Sequence, residues 1–179
     1  MAVTVKRVVL WRCEVKNTVG ALAATLAPLT SAGADLEIVM GYGLAGDPSK
    51  AAIEVYPIVG KKVIAAAKAT GLSAAPIPAL QVTGDNKAGL GYATTHALTD
   101  AGINMHFVVA HVLGRKYTAV FGFESEANAR RAATIIKKVA SGAKLSKPPK
   151  RPALPPPASP APVAKETAAA GPPLAASPA

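Results

Sequence analysis

The same unit occurs twice in the sequence, and this internal repeat constrains the fold more than any other feature. The segment NTVGALAATLAPLTSAGADLEIVMGYG, which begins at Asn17, aligns without a gap with NKAGLGYATTHALTDAGINMHFVVAHV, which begins at Asn86. The identities include Gly20 with Gly89. Further along the chain the offset falls from 69 to 67 residues, where AAIEVY aligns with TAVFGF. A repeat of this kind predicts two modules with the same fold.

Each copy predicts the same order of strands and helices. A strand (VKRVVLW in the first copy, ALQVT in the second) precedes a polar loop and a helix that ends near Gly33 or Gly102, as is common for glycine just after a helix. A second strand, a hairpin, a third strand and a second helix follow, and SAAPIPALQV leaves room for a short fourth strand. The order β-α-β-β-α-β predicts an α+β protein of two ferredoxin-like modules in tandem. The predicted helices span about 21–31, 60–70, 90–101 and 125–139.

The two predicted modules span residues 1–75 and 76–146. Alternation along the second strand of each copy indicates which side chains face the helices. We expect the two sheets to pair side by side as an internal pseudo-dimer, because strand edges and helix-free faces need covers, and we expect a homodimer for the same reason. The side chains expected to face the helices are Leu36, Ile38, Met40, Met105, Phe107 and Val109.

The composition changes at about residue 147. Eleven of the sixteen prolines lie in 147–179, which contains no aromatic residue. Such a segment cannot bury enough apolar surface to offset its ordering entropy, so we predict a disordered, basic, proline- and alanine-rich tail. Its stretch KPPKRPALPPP leaves open a role as a ligand for a polyproline-binding groove.

The charge and hydropathy of the chain argue against two classes of partner. The net charge is +10, but residues 1–143 carry 15 basic and 9 acidic side chains that are scattered and not interleaved with aromatic residues. Binding to nucleic acid is therefore not expected. No apolar run reaches the roughly 18 residues that a membrane span needs. The single cysteine, Cys13, fits a reducing compartment, so we expect a cytoplasmic protein.

The sequence offers no catalytic constellation. Gly41, Gly43 and Gly46 spell G-x-G-x-x-G, but Asp47-Pro48 and a strand pattern follow them. A dinucleotide site needs a helix there, so the glycines indicate a turn. The three histidines (His96, His106 and His111) are not spaced for a shared metal. We therefore expect a non-enzymatic protein without a metal or cofactor.

The loops and strand starts of both copies resemble those of ACT domains. The family pattern has Asp/Asn-x-Pro-Gly-x-Leu after the first strand and Gly-Ile/Val-Asn-Ile at the second strand. The second copy has NKAGLG and AGINM, and the first copy has NTVGAL and AGADL. The resemblance covers residues 3–140, and the chain is most similar in this respect to small stand-alone proteins made of two ACT domains in tandem. The chain departs from the pattern at Val19 and Ala88, which replace the loop proline, and at Asp35, which replaces the strand asparagine.

The resemblance implies a regulatory protein that binds a small amino acid at an interface between two modules. It implies ligand contacts from Asn17, Gly20, Asn86 and Gly89 in the loops, and from Asn104 and Asp35 at the strand starts. An asparagine amide donates and accepts hydrogen bonds, so it can meet both a carboxylate and an ammonium group.

Two alternatives stay open. Asn17 and Asn86 would also serve as simple helix caps, with Asn104 a solvated strand end. The chain as a whole would also suit a structural oligomerisation adaptor that binds no ligand and recruits a regulated enzyme or another protein through its tail.

Overall fold

The computed structural model describes residues 3–142, which form an α+β structure of eight strands and four helices. The predicted tail over 147–179 lies outside the described residues. The helices are α1 (Ala21–Ser31), α2 (Lys61–Ala69), α3 (Leu90–Asp100) and α4 (Glu126–Ala140). The strands are β1 (Val3–Val8), β2 (Trp11–Lys16), β3 (Ile38–Leu44), β4 (Asp47–Tyr56), β5 (Ser73–Ala74), β6 (Ala79–Asp85), β7 (Met105–Leu113) and β8 (Lys116–Phe123).

The strands form two antiparallel sheets of four strands each. The first sheet has the order β3-β4-β2-β5 and the second has the order β1-β6-β8-β7. Both orders are those of a β-α-β-β-α-β module, which confirms the predicted fold class. The short fourth strand expected in the first copy is β5, which pairs with β2 at Trp11 and Arg12.

The first strand of the chain belongs to the second sheet. β1 pairs with β6 from Val3 opposite Gly84 to Val8 opposite Ala79, so it occupies the place that β5 occupies in the first module. The predicted single strand VKRVVLW is therefore wrong, because Val9 and Leu10 separate two strands of different sheets. The sheets also depart from the division into 1–75 and 76–146 for residues 3–8. The first module is inserted between β1 and β6.

Each sheet packs one face against its own two helices. In the second module the resulting core is continuous from the central strands β6 and β8 to α3 and α4. In the first module it joins β2 and β4 to α1 and α2. The buried residues of the second core include Leu80, Val82, Leu98, Phe121, Phe123 and Ile136, and those of the first include Cys13, Leu29, Ile53, Val55, Val63 and Ala67.

The other face of each sheet, which we call the helix-free face, packs against its counterpart. A third buried cluster, which we call the seam, joins the two sheets. Phe107 lies across Gly122 in the seam, where an added Cβ would sit 2.2 Å from the Phe107 ring, so any other residue would have to displace that ring. The seam consists of buried Val8, Leu10, Ile38, Ala79 and Val120, with partly buried Met40, Tyr56, Ala75 and Phe107.

The seam corrects two sequence-based expectations. The predicted side-by-side pairing of the two sheets is wrong, because they form separate sheets that meet at their helix-free faces. The predicted orientation of the second strands is also wrong for Ile38, Met40 and Phe107, which belong to the seam. Val109 lies on the same helix-free face and is exposed. Alternation indicated two different faces, but both faces are partly covered, so hydropathy did not identify the one that carries the helices.

The hairpin between β3 and β4 corrects the repeat offset. Met40 pairs with Glu54, and the equivalent Val109 pairs with Val120. The offset after the hairpin is therefore 66 residues, not 67. Three extra residues enter the first copy where the register shifts, since Gly43 lies opposite Ala51 while Leu44 lies opposite Asp47. A shift of one residue exchanges the two faces of a strand, so the offset of 67 aligns residues of β4 and β8 that lie on opposite faces.

Three of the predicted helix ends are confirmed. Gly33 and Gly102 follow α1 and α3 with φ of +83° and +67°. The Ser125 hydroxyl accepts a hydrogen bond from the backbone N–H of Asn128 at 3.1 Å and caps α4.

Pro28 lies inside α1 without shortening it, since α1 and α3 both have 11 residues. Among residues 3–142, no helix is long and apolar enough to cross a membrane.

Two neighbouring substitutions test the seam. Leu10→Ala should lower the free energy of unfolding by about 2–5 kcal/mol, because Leu10 is 0% exposed and its loss leaves a cavity between the sheets. Val9→Ala is the matched control and should change it by no more than about 0.5 kcal/mol, because Val9 is 48% exposed. Chemical denaturation measures both. Equal effects at the two positions would contradict the seam.

Candidate functional site

Two equivalent loops connect the first strand of each module to its first helix. The backbone N–H of Asn17 donates to the Ser49 carbonyl at 2.7 Å, and the backbone N–H of Asn86 donates to the Arg115 carbonyl at 2.8 Å. Both loops are therefore anchored in the same way to the neighbouring hairpin. The repeat has conserved their backbone geometry within one chain, although the hairpins differ in length.

Glycine begins the helix that follows each loop. Gly20 and Gly89 are the residues before α1 and α3, with φ of +87° and +80°, a conformation that favours glycine. Among the side chains of residues 3–142, none accepts a hydrogen bond from the first turn of either helix. The alternative in which Asn17 and Asn86 cap these helices is therefore wrong. The first-turn N–H groups have no side-chain partner, and such groups attract anions.

The two loop asparagines differ in what their side chains do. Asn17 Nδ2 donates to the Pro48 carbonyl at 3.0 Å, and Pro48 lies in the three-residue excess of the first hairpin. Within residues 3–142, the exposed Asn86 side chain makes no hydrogen bond. The Asn17 side chain therefore holds the longer hairpin in place, whereas the side-chain amide of Asn86 is available to another group.

The predicted strand residues lie at the opposite end of each module. Asp35 and Asn104 follow α1 and α3, and each helix is about 16 Å long at 1.5 Å per residue. One module therefore does not bring its loop and its strand residue together. Asn104 is exposed, and its Nδ2 donates to Glu124 Oε1 at 2.9 Å. The side-chain oxygen of Asn104 takes no part in this bond. Asp35 is also exposed.

The edge strands β3 and β7 run between these two ends and are unusually apolar. Neither strand contains Asp, Glu, Lys or Arg, and each forms the outer edge of its sheet. Charged residues normally protect such edges from pairing with another chain. Most large exposed hydrophobic side chains of the described residues lie on these strands or at the start of the adjacent helix: Leu22, Val39, Tyr42, Tyr92, Val108, Val109, Val112 and Leu113.

A buried ionic group lies on the helix-free face of the first sheet. Glu54 is 1% exposed, and its Oε1 accepts a hydrogen bond from the Tyr42 hydroxyl at 2.7 Å and lies 3.5 Å from Arg12 Nε. Burial, with the Glu54 hydrogen bond, raises the pKa of Tyr42 to about 12. A buried carboxylate needs such partners. The repeat gives no sign of this group, because the second copy has the apolar Val120 at the position of Glu54.

The other reactive side chains do not assemble into a catalytic or metal site. His96 Nδ1 pairs with Asp100 at 2.9 Å on α3, while His106 and His111 are exposed on β7. Burial raises the pKa of the Cys13 thiol, which disfavours the reactive thiolate. Over residues 3–142, no group of three or more His, Cys, Asp or Glu residues is placed to hold a metal ion.

Comparison with solved structures places this architecture among known folds. A Bacteroides thetaiotaomicron protein superposes with a TM-score of 0.59 at 12% identity, covering 75% of this chain and 90% of that one. The regulatory subunit of aspartate kinase from Thermus thermophilus gives 0.54 at 13% identity, covering 76% and 95%. That subunit from Thermus flavus gives 0.54 at 15% identity, covering 78% and 97%. No protein-family model and no curated protein matches the sequence.

The fold is that of tandem ACT domains. This confirms the resemblance that the loops and strand starts indicated, at the level of the fold. In the two modules, the loops and strand starts that carried the resemblance lie at the two ends of the edge strands β3 and β7. The predicted ligand contacts themselves stay a prediction.

The repeat supplies a matched pair of substitutions that separates a structural role from a binding role. Asn17→Ala should cost about 0.5–1.5 kcal/mol of unfolding free energy, because it removes the bond to the Pro48 carbonyl. Asn86→Ala should cost no more than about 0.5 kcal/mol, because it removes no bond among residues 3–142. Thermal and chemical denaturation without added ligand measure both. A larger cost for Asn86→Ala than for Asn17→Ala would refute this assignment.

Proposed function

We propose that the chain is a non-enzymatic, cytoplasmic regulatory protein that binds a small amino acid at an interface between ACT-like modules of two copies. The observation that carries the proposal is the placement of the two groups of predicted ligand residues at opposite ends of uncharged, unpaired edge strands. A single module cannot join the two groups. A second copy can.

Antiparallel pairing of two equivalent edges would complete the site. A two-fold axis beside β7 places the C-terminal end of one strand next to the N-terminal end of its partner. The loop Asn86–Gly89 of one copy would then lie near Asn104 of the other copy. The apolar side chains along β7 would be covered by the same contact. The homodimer is thus part of the binding site and also covers the exposed edge.

The residues at the two ends suit the two charged groups of an amino acid. The first turn of α3, which begins after Gly89, offers N–H groups to a carboxylate, and the unpartnered Asn86 amide adds a donor. Asn104 Nδ2 is used by Glu124, so its oxygen is the atom that would accept from an ammonium group. In the first copy, Asp35 would meet the ammonium group at the position of Asn104, but the Asn17 side chain already donates to the Pro48 carbonyl and is not free to meet the carboxylate. The second module is therefore the stronger site.

Ligand binding would shift the population of molecules toward the arrangement in which two copies are paired. A ligand held by residues of two copies stabilises the paired arrangement over any other arrangement, and only this difference in affinity can carry a signal. Solved structures with this fold include regulatory subunits of aspartate kinase. By analogy, the recipient of the signal would be a regulated enzyme.

Isothermal titration of the intact chain against each of the twenty amino acids tests the proposal. At least one small amino acid should bind, and Asn104→Ala and Asn86→Ala should each weaken its binding about tenfold, as expected for one lost hydrogen bond to a charged group. Asp35→Ala is the matched control in the weaker copy and should leave the affinity within about twofold. Absence of heat for all twenty, with a folded dimer by sedimentation, would reject the proposal.

The alternative is a structural oligomerisation adaptor that binds no ligand. The replacement of the loop proline by fully exposed Val19 and by Ala88 favours it, because the loops then lack the family's rigid residue. Thermal melting with pooled amino acids separates the two functions. A ligand at 100 times its dissociation constant stabilises the folded state by about 2.7 kcal/mol, whereas an adaptor gains nothing.

A further inference from the structure

The second module contains a small cavity between β1 and α4, away from the edge strands β3 and β7. Its volume is about 160 Å³. Val5, Leu80, Ala129 and Ala133 form an apolar floor, and Arg7, Glu126 and Arg130 form a charged rim. Arg7 pairs with Glu126 across the rim. The cavity is therefore an apolar hole whose rim carries two guanidinium groups and one carboxylate, and among the described residues Glu126 Oε2 is buried without a hydrogen-bond partner.

The size of the cavity indicates what it can hold. Sites for free metabolites and cofactors usually span about 300–1,000 Å³. A cavity of about half that lower bound fits a single aliphatic side chain, of the kind that anchors one protein on another. The occupant we consider is therefore a protein segment and not a free metabolite.

The cavity adjoins a free strand edge. β1 pairs only with β6 among the described strands, so its outer edge carries unpaired backbone groups over Val3–Val8. An extended peptide can add to such an edge and place alternate side chains into neighbouring pockets. Lys6 and Arg7 on β1 disfavour pairing with a second β1, because like charges would lie opposite each other. Lys6 already lies 3.8 Å from Glu37 and Arg7 pairs with Glu126, so the charge that selects an acidic strand comes from the helix beside β1.

The charge on α4 supports the same occupant. The outward part of α4 exposes Arg130, Lys137 and Lys138, and its one acidic residue, Glu126, is paired with Arg7. Arg131 is also exposed but donates to the Ala101 carbonyl at 2.8 Å. Within residues 3–142, Arg130 forms no ion pair. An approaching carboxylate would therefore meet a cationic surface that continues from the rim of the cavity along the helix.

The first module does not offer an equivalent edge. Its fourth strand, β5, has two residues, whereas β1 has six. The difference follows from the N-terminal strand that completes the second sheet. The groove is thus a property of this chain's connectivity and not of the repeat.

We propose that the groove between β1 and α4 binds an extended acidic segment of a partner protein, which adds to the edge of β1 and places one aliphatic side chain in the cavity. The inference goes beyond the proposed amino-acid site, which uses different strands and the other edge of the second sheet.

Selection of a phage-displayed random peptide library on the intact chain tests the proposal. We expect enriched peptides with one aliphatic residue flanked by acidic residues. Binding of a fluorescein-labelled consensus peptide, followed by anisotropy, should weaken at least about tenfold in Arg130→Glu and in Ala133→Trp, which fills the cavity. Lys62→Glu on α2 is the matched control for charge, and it should bind within about twofold of the unmodified chain. Hydrogen exchange of the β1 amides should slow when the peptide is bound.

Several results would overturn the proposal. These are no enriched peptide, enriched peptides without acidic residues, equal losses in Arg130→Glu and Lys62→Glu, or unchanged binding in Ala133→Trp. Displacement of the peptide by single-stranded DNA or by phosphatidylserine vesicles at lower concentration would assign the surface to a different class of partner. Circular dichroism checks that each variant is folded. Asn104→Ala should bind the peptide normally, so failure of the amino-acid site and failure of this groove are distinguishable.

Discussion

The pairing of β1 with β6 is the interaction on which the rest of the structure depends. The second module has no strand of its own after α4 within the described residues, so Val3–Val8 completes its sheet from the other end of the chain. Only Val9 and Leu10 separate β1 from β2, so the two sheets must lie close together. The seam around Leu10 follows from this connection, because it buries the helix-free faces that would otherwise be exposed.

This arrangement determines where the chain can interact with other molecules. The strand orders leave the uncharged strands β3 and β7 at the edges of their sheets, and these are the edges that link the two ends of each predicted ligand site. The same connection gives the second sheet a six-residue outer strand beside basic α4. The two proposed binding surfaces therefore have one structural origin, although they would recognise different chemistry.

The sequence predicted those features that depend on local chemistry. Gly33, Gly102 and Ser125 mark helix ends because their backbone or hydroxyl requirements are local, and the repeat with AGINM indicated the module type. It could not predict that β1 crosses to the second sheet, because VKRVVLW has the pattern of one strand and pairing partners are not encoded in periodicity. The seam residues Ile38 and Phe107 were assigned to the wrong face for a related reason, since a sheet covered on both faces is apolar on both.

Hydrogen exchange on a chain that lacks residues 1–8 shows whether this segment completes the second sheet. Without β1, we expect the amides of β6 to lose much of their protection, while those between β2 and β4 in the first sheet keep theirs. If β6 stayed as protected as in the intact chain, or if only the first sheet lost protection, the assignment of the N-terminal strand would be contradicted.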